Sequence, residues 1–327
     1  MNGGNMSRKH KLILQISSFL IIICCFLFFN SSIYIVFTSK CESNFGNNPT
    51  QAKIIKVEEY LPFDENSKIV KRDSALKITE NIPVLDGATA LLPLYSAFAH
   101  AIYPEESVHF DGTKYTTNSS VQFTDTKYAY YNLIDGSVDI AICAAPSPSI
   151  LEYAKEQNVE LELVPIGYEA FVFLNHIDNP VTNLSVQEIR DIYSGKIMFW
   201  NQVGGSPRLI YPLTRPEASG SQSAMISFMK GTEIKKNPIQ VFGSAIGFSF
   251  RFYVEDLVGN SKVKMICVNG VEPTRENIAN KTYPITVQFY AVYRKDNSNP
   301  NVQKVIDFIL SDEGQEIINE TGYVSLK

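Results

Sequence analysis

The chain has 327 residues and a net charge of −5, with 45% hydrophobic and 19% charged residues. This is the composition of a globular protein that is long enough for two lobes, each with its own core. A negative balance argues against a nucleic-acid partner, because no basic stripe is available to neutralise the phosphates. Binding of one small anion is not excluded, since it depends only on local donors.

The N-terminal segment differs in character from the rest of the chain. Residues 12–38 are almost wholly apolar and uncharged, which is about the length needed to cross a bilayer. Arg8, Lys9 and Lys11 precede this run, so residues 1–11 are expected in the cytoplasm and the main domain outside the cell. We therefore expect a single-pass protein of the cell membrane, with residues 39–78 as an extracellular stalk. A cleaved signal peptide is the alternative.

The five cysteines and four histidines are scattered along the chain. Their spacing fits neither a metal site nor a disulfide framework. We therefore expect no metal and no cofactor. Cys143 and Cys267 lie in apolar, strand-like segments and are expected to be buried thiols.

The compact part begins with strands and helices in alternation. A strand over 82–85 and a turn of small residues precede a helix over 92–102, which has a proline in its first turn. A strand over 121–123 is followed by a helix that begins at a Thr-Asp-Thr sequence and ends at a glycine. An almost entirely apolar stretch over 138–145 is typical of a buried strand.

The second half of the chain continues the alternation. An extended run over 161–175 is long enough to cross between two lobes. A capping box at 185–188 begins the next helix, and a strand over 210–213 leads into a helix over 219–229. Further extended segments and two closing helices complete the pattern, which predicts an α/β fold.

Three turns follow strands, begin helices and carry small or hydroxyl residues. The free N–H groups at a helix start and the helix dipole favour an anion. In open α/β sheets such turns gather at the carboxyl ends of the strands, where ligands bind. The third turn also has an arginine, whose planar fork of donors suits phosphate or carboxylate. For this third turn alone, a surface loop capped by a serine is the alternative. The residues concerned are Thr89, Thr126, Arg215, Ser219, Gly220 and Ser221.

From about residue 57 onward, the chain resembles the phosphate-binding, PstS-like solute-binding proteins of ABC transporters. The likeness is greatest to the Gram-positive branch of this type II periplasmic-binding-protein family. Eight segments in a fixed order carry the resemblance: 85–90, 130–140, 179–181, 191–196, 200–205, 215–222, 245–250 and 310–315.

The resemblance implies a two-lobed Venus-flytrap fold. Lobe 1 would comprise residues 79–168 and 286–327, and lobe 2 residues 169–285. The protein would be a monomer and no enzyme. It would capture phosphate or a similar small oxyanion between the lobes and deliver it to the permease subunits of an ABC importer.

By motif position, each lobe would contribute one half of the site. Lobe 1 would bind the anion through Ala88, Thr89, the backbone N–H of Ala90, and Thr126. Lobe 2 would close on it with Arg215, Ser219, Gly220 and Ser221.

Two features depart from the family pattern. Ala144 occupies the position of a ligand-facing aspartate, which in the family accepts a hydrogen bond from a protonated phosphate oxygen. The link over 232–245 is also shorter than is usual. Both departures favour an alternative function, a non-transport sensor or degenerate binding module with altered or lost ligand specificity.

A hydrolase that uses Ser219 or Ser221 as its nucleophile is the third hypothesis. The sequence has no Gly-x-Ser-x-Gly elbow, and no motif places a histidine as the base. We therefore expect no catalytic residue.

Overall fold

The computed structural model describes residues 55–217, 219–235, 243–259 and 262–327. The predicted membrane anchor, 12–38, lies outside the described residues. Within them, no helix combines the length and the apolar character needed to cross a membrane. The middle of the short link, 236–242, is also outside the described part of the chain.

Strands and helices alternate along the described chain, which confirms the predicted α/β class. The strands are β1 Leu85–Gly87, β2 Ile140–Ala144, β3 Leu161–His176, β4 Asn183–Leu184, β5 Leu209–Pro212, β6 Gly243–Phe250, β7 Val263–Val268 and β8 Thr286–Arg294. The helices are α1 Leu92–Ile102, α2 Asp125–Asp135, α3 Pro148–Glu156, α4 Val186–Tyr193, α5 Gly220–Met229, α6 Arg275–Ala279, α7 Val302–Leu310 and α8 Asp312–Thr321.

The strands pair in the order β1-β2-β8-β3-β6-β5, and β7 pairs with both β3 and β4. Pairs β1–β2, β4–β7 and β5–β6 are parallel. Strand β3 is antiparallel to each of its partners, β6, β7 and β8. The protein therefore contains both parallel and antiparallel strand pairs.

Strand β3 is shared between two parts of the structure. Its first part, from Leu161 to Ala170, pairs with β8. Its second part, from Phe171 to His176, pairs with β6 and β7. We use lobe 1 for residues 79–168 and 286–327, and lobe 2 for the described residues from 169 to 285, so β3 is a direct connection between the lobes.

Each lobe has an apolar core that its own sequence explains. In lobe 1, helix α1 is buried along almost its whole length against β1 and α8, as expected for a helix that is apolar on all sides. In lobe 2, aromatic rings pack edge to face, with the Phe171 and Phe173 centroids 5.4 Å apart. Both faces of β3 are buried there, which accounts for its continuous apolar run.

Local sequence signals placed most helix ends correctly. The capping box of Ser185 and Glu188 is present in α4, and Gly136 ends α2 in the left-handed conformation. Helix α5 ends at Met229, and Lys230 follows it in the left-handed conformation with φ 50°. The predicted strand at 121–123 was wrong in extent, because only a single bridge between Val121 and Leu85 forms there.

The described part of the predicted stalk packs on lobe 1. Arg72 donates to Glu316 at 2.5 Å and to Glu320 at 2.7 Å, both on α8. The backbone N–H of Ile78 donates to the carbonyl of Ile102 at the end of α1, at 2.8 Å. Ile78 itself is buried, so this segment has a fixed place on the lobe surface.

A buried ion pair lies where β3 passes from lobe 1 to lobe 2. The Glu169 carboxylate is 3.5 Å from Nε of Arg251, and both residues are 4% exposed. Glu169 also accepts hydrogen bonds from the backbone N–H groups of Ala170 and Phe252. Arg251 donates to the carbonyl of Gly322 in lobe 1 at 2.5 Å, so this pair connects the crossing strand to both lobes.

Burial raises the pKa of Glu169 to about 7, although Arg251 and the two N–H groups lower it. The folded protein therefore holds this proton more tightly than the unfolded chain, whose value is near 4.5. It follows that ionised Glu169 lowers the stability of the folded protein by its full amount above pH 7. That effect diminishes as the pH falls from 7 to 4.5.

We predict that Arg251→Met destabilises the protein by about 3–5 kcal/mol at pH 8, because it leaves a buried carboxylate without its cation. Urea unfolding at pH 8 and pH 5 measures this. The deficit should shrink at pH 5, where Glu169 is protonated, and the double variant Glu169→Gln/Arg251→Met should recover much of the loss. A deficit of the same size at both pH values would contradict the coupling.

Candidate functional site

The first of the three turns, turn A, comprises residues 86–90 between β1 and α1. Gly87 is required here, since a Cβ at this position would lie 2.5 Å from the carbonyl oxygen of Ile142. Ala88 donates its N–H to the same carbonyl at 2.9 Å. Thr89 and Ala90 then occupy the first two positions of a short 3₁₀ turn, where N–H groups have no partner inside the helix.

Turn B comprises residues 123–126 and begins α2. Asp125 has φ 73°, and its carboxylate accepts from the N–H groups of Lys127 at 2.8 Å and Tyr128 at 3.3 Å. Asp125 is therefore the side chain that caps α2. Thr126 is half-buried in the first turn of that helix.

Turn C comprises residues 214–221, of which 218 is not described, and it begins α5. Ser219 caps the helix by accepting from the N–H of Gln222 at 3.3 Å. The Gln222 side chain in turn accepts from the backbone N–H of Arg215 at 2.8 Å. Gly220 and Ser221 are buried in the first turn of α5.

Turns B and C meet between the lobes. A Cβ placed on Gly220 would lie 3.4 Å from Oγ1 of Thr126 and 3.6 Å from Cβ of Ala144. Thr126 and Ala144 belong to lobe 1 and Gly220 to lobe 2, so the two lobes are in contact here. The structure thus brings together two of the predicted site residues, and it places Ala144 beside them.

Turns A and B are joined by a buried carboxylate. Asp86 in β1 accepts from the N–H and the hydroxyl of Thr124, at 3.1 and 2.5 Å. It also accepts from the N–H of Gly87 at 2.8 Å. All three turns are therefore linked, turn A to turn B through Asp86 and turn B to turn C through Gly220.

Turn C contains Arg215, whose guanidinium has one buried N–H donor. Within the described part of the chain, Nε of Arg215 is inaccessible to solvent and has no hydrogen-bond partner. Burial raises the pKa of the Tyr253 phenol and the Arg215 charge lowers it in part, which places the guanidinium near that ring. N–H groups, hydroxyls and this guanidinium are the donors that an oxyanion requires.

Sequence reasoning missed three residues of this arrangement. The sequence pattern around Asp86 indicates only a turn, and the pattern around Asp125 indicates only the start of α2. Gln222 had no assigned role. A polar side chain beside each turn was the available signal, but the partner of that side chain is set by the tertiary fold.

A family model described as the PBP superfamily domain matches residues 82–313. The chain belongs to the PBP superfamily. The match covers both lobes and all three turns. The two-lobed fold expected from the sequence resemblance is therefore confirmed.

Among relatives, the phosphate-binding protein PstS of Borreliella burgdorferi is 25% identical over 181 residues, which cover 49% of this chain and 64% of that protein. PstS of Bacillus subtilis is 26% identical over 179 residues, which cover 51% of this chain and 57% of that protein. The resemblance to PstS-like proteins, Gram-positive ones included, is confirmed. The match spans less than two thirds of the length of either relative.

A solved structure from Clostridium perfringens has the same fold. It is described as a phosphate ABC transporter substrate-binding protein with bound phosphate. It is 24% identical with a TM-score of 0.57, and the match covers 76% of this chain and 100% of that one. These relatives are named as binding proteins.

We predict that Gly220→Val separates turns B and C, because its methyl groups would overlap Thr126 and overpacking costs about 1–3 kcal/mol. Gly220→Ala is the matched control, since its Cβ would make ordinary contacts at 3.4 and 3.6 Å. Amide hydrogen exchange should be faster at 123–128 and 219–223 in the valine variant and unchanged in the alanine variant. Equal exchange in the two variants would show that these turns do not depend on their contact.

Proposed function

We propose that this protein captures phosphate or a similar small oxyanion between lobe 1 and lobe 2. The observation that carries the proposal is the buried Nε of Arg215, which has no hydrogen-bond partner among the described residues and lies in a turn linked to two others. An unsatisfied buried donor costs about 1–3 kcal/mol. An anion between the turns would satisfy it, together with the N–H groups of Thr89 and Ala90, which have no partner inside their own helical turn.

The proposal extends to the cellular role. Membership of the superfamily and the similarity to proteins named for phosphate binding support capture of phosphate. We further propose that the protein is a monomer held in the cell membrane by residues 12–38, with its main domain outside the cell. There it would deliver its ligand to the permease subunits of an ABC importer.

A second candidate function is a sensor or binding module outside transport. The observation that favours it is Ala144, which presents a methyl group beside Gly220 and Thr126 where the family pattern has an aspartate. Such a module would keep the fold and the linked turns but differ in ligand. Ligand selectivity separates the two functions.

We predict that Arg215→Ala weakens phosphate binding more than tenfold, because loss of a charge-assisted hydrogen bond costs about 1.5–3 kcal/mol. Thermal unfolding should be nearly unchanged. Titration calorimetry of the full-length chain measures the affinity, and Arg208→Ala is the control, since Arg208 is exposed in the same lobe. Phosphate affinity that Arg215→Ala leaves intact would remove this residue from the site.

We predict weak discrimination between phosphate and sulfate, within about tenfold or 1.4 kcal/mol. Discrimination needs an acceptor that pairs with the phosphate proton and repels sulfate. Ala144 offers none, and the Asp125 carboxylate already accepts two N–H groups of α2. Ala144→Asp should raise the preference for phosphate.

The two titrations, with phosphate and with sulfate, are done on the same preparation. A wild-type preference for phosphate of several thousandfold would contradict the argument. Another carboxylate, Asp125 or Glu217, would then face the ligand, and Asp125→Asn and Glu217→Gln would show which of the two is the acceptor.

A further inference from the structure

The Asp86 carboxylate accepts four hydrogen bonds, and three of them come from a distant part of the chain. Oδ1 accepts from Gly87 N at 2.8 Å and Thr124 N at 3.1 Å. Oδ2 accepts from Thr124 Oγ1 at 2.5 Å and Asn132 Nδ2 at 3.3 Å. Asn132 donates to Thr124 Oγ1 as well, at 3.2 Å. Asp86 therefore fixes the start of α2 relative to turn A.

This arrangement needs a carboxylate and not an amide. Both oxygens of Asp86 accept, whereas asparagine has one accepting oxygen and one donating nitrogen. An amide at this position would keep the bonds to Gly87 N and Thr124 N. It would set its own N–H groups against the Asn132 NH2 group, and the Thr124 hydroxyl would have to accept where it now donates.

The four described hydrogen-bond donors to the Asp86 carboxylate are all uncharged. Asp86 is fully buried, and burial raises its pKa to about 6 despite the four hydrogen bonds. The titratable groups that face it within the described chain are Tyr95 on α1 and Cys143 on β2, both neutral because burial raises their pKa values. The Tyr95 hydroxyl has no hydrogen-bond partner among the described residues, so it does not offset the charge.

We propose that Asp86 is a positioning residue for anion binding, which holds turn A and Thr126 of turn B in the relative placement that a ligand needs. The inference rests on the proposed function. Thr124 transmits the effect, because both its N–H and its hydroxyl bond to Asp86 and Thr126 is two residues away. Asp86 itself does not contact the ligand, because its side chain is fully buried and both of its oxygens already accept hydrogen bonds from protein groups.

A merely structural residue would behave differently. Its replacement would lower stability and leave the phosphate affinity of the folded protein unchanged, whereas replacement of Asp86 should lower that affinity. Asp86 also carries a charge that is unfavourable in the folded state. Its folded pKa is raised from 3.8 to about 6. The folded protein therefore binds more protons than the unfolded chain in this window, and the contribution of Asp86 to stability is lost as the pH rises through 6. Above pH 6, Asp86→Asn removes this unfavourable charge.

The test compares Asp86→Asn with wild type at pH 7.5 in the full-length chain, by phosphate titration and by thermal unfolding. We expect phosphate affinity to fall about tenfold or more, and the thermal unfolding curve shows that the variant is folded at the temperature of the titration. Asp139→Asn is the matched control. Asp139 is a carboxylate of the same lobe that accepts from Val84 N and Asn297 Nδ2, both at 2.9 Å. It precedes β2, at the end opposite Ala144, and its variant should lose stability and keep its affinity.

A second pair of variants tests the same positioning role if Asp86→Asn does not fold. Thr124→Val removes the hydroxyl that donates to Asp86, and Thr124→Ser keeps it. We expect the valine variant to lose affinity and the serine variant to retain it. Equal affinities in this pair, or an Asp86→Asn protein that binds phosphate within twofold of wild type, would overturn the inference.

A ligand-independent measurement separates this inference from the proposed function. If the wild-type protein binds no phosphate, the proposed function fails. Amide hydrogen exchange of Asp86→Asn then decides the positioning role. Faster exchange confined to residues 87–91 and 122–128 supports it, and exchange equal to that of wild type overturns it.

Discussion

The arrangement of the two lobes depends on one strand that belongs to both. Strand β3 pairs with β8 up to Ala170 and with β6 and β7 beyond it, so any shift in its register would displace a whole lobe. The corner after β6 supports this crossing. Phe252 donates its N–H to Glu169 and stacks on Tyr323 with 4.4 Å between ring centroids. The hydroxyl of Tyr323 donates to the carbonyl of Ala90 in turn A, so the crossing and the site share one packed unit.

Much of the fold could be predicted because its signals are local. A Ser-x-x-Glu box, a proline in a first helical turn and a glycine after a last one each act within four residues, and they marked α4, α1 and α2. The extended run that became β3 was evident from its length. Strand β7 was indicated only by the apolar, strand-like segment around Cys267, because its pairing with β3 depends on the tertiary fold. Helix α3 was missed, although Ser147 caps it and Pro148 begins it.

The site was partly predictable for the same reason. Hydroxyl and glycine residues that follow strands and begin helices indicated turns A, B and C, and the structure links all three. The roles of the connecting side chains were not predictable. An Asp-Gly pair indicates a turn, and the bond from Asp86 to Gly87 N fits that, but the partners at 124 and 132 are neighbours only after folding. Gln222 likewise reads as a helix residue until its amide is seen to hold Arg215.

The segment before lobe 1 has a mechanical consequence. Arg72 bonds to two glutamates of α8, Ile78 to the end of α1, and the Glu80 carbonyl accepts from Asn301. These attachments are all to lobe 1, so residues 72–80 would move together with lobe 1 if the two lobes separated. Relative to residues 72–80, any separation of the lobes would therefore be a displacement of lobe 2. Arg215 would be displaced with it.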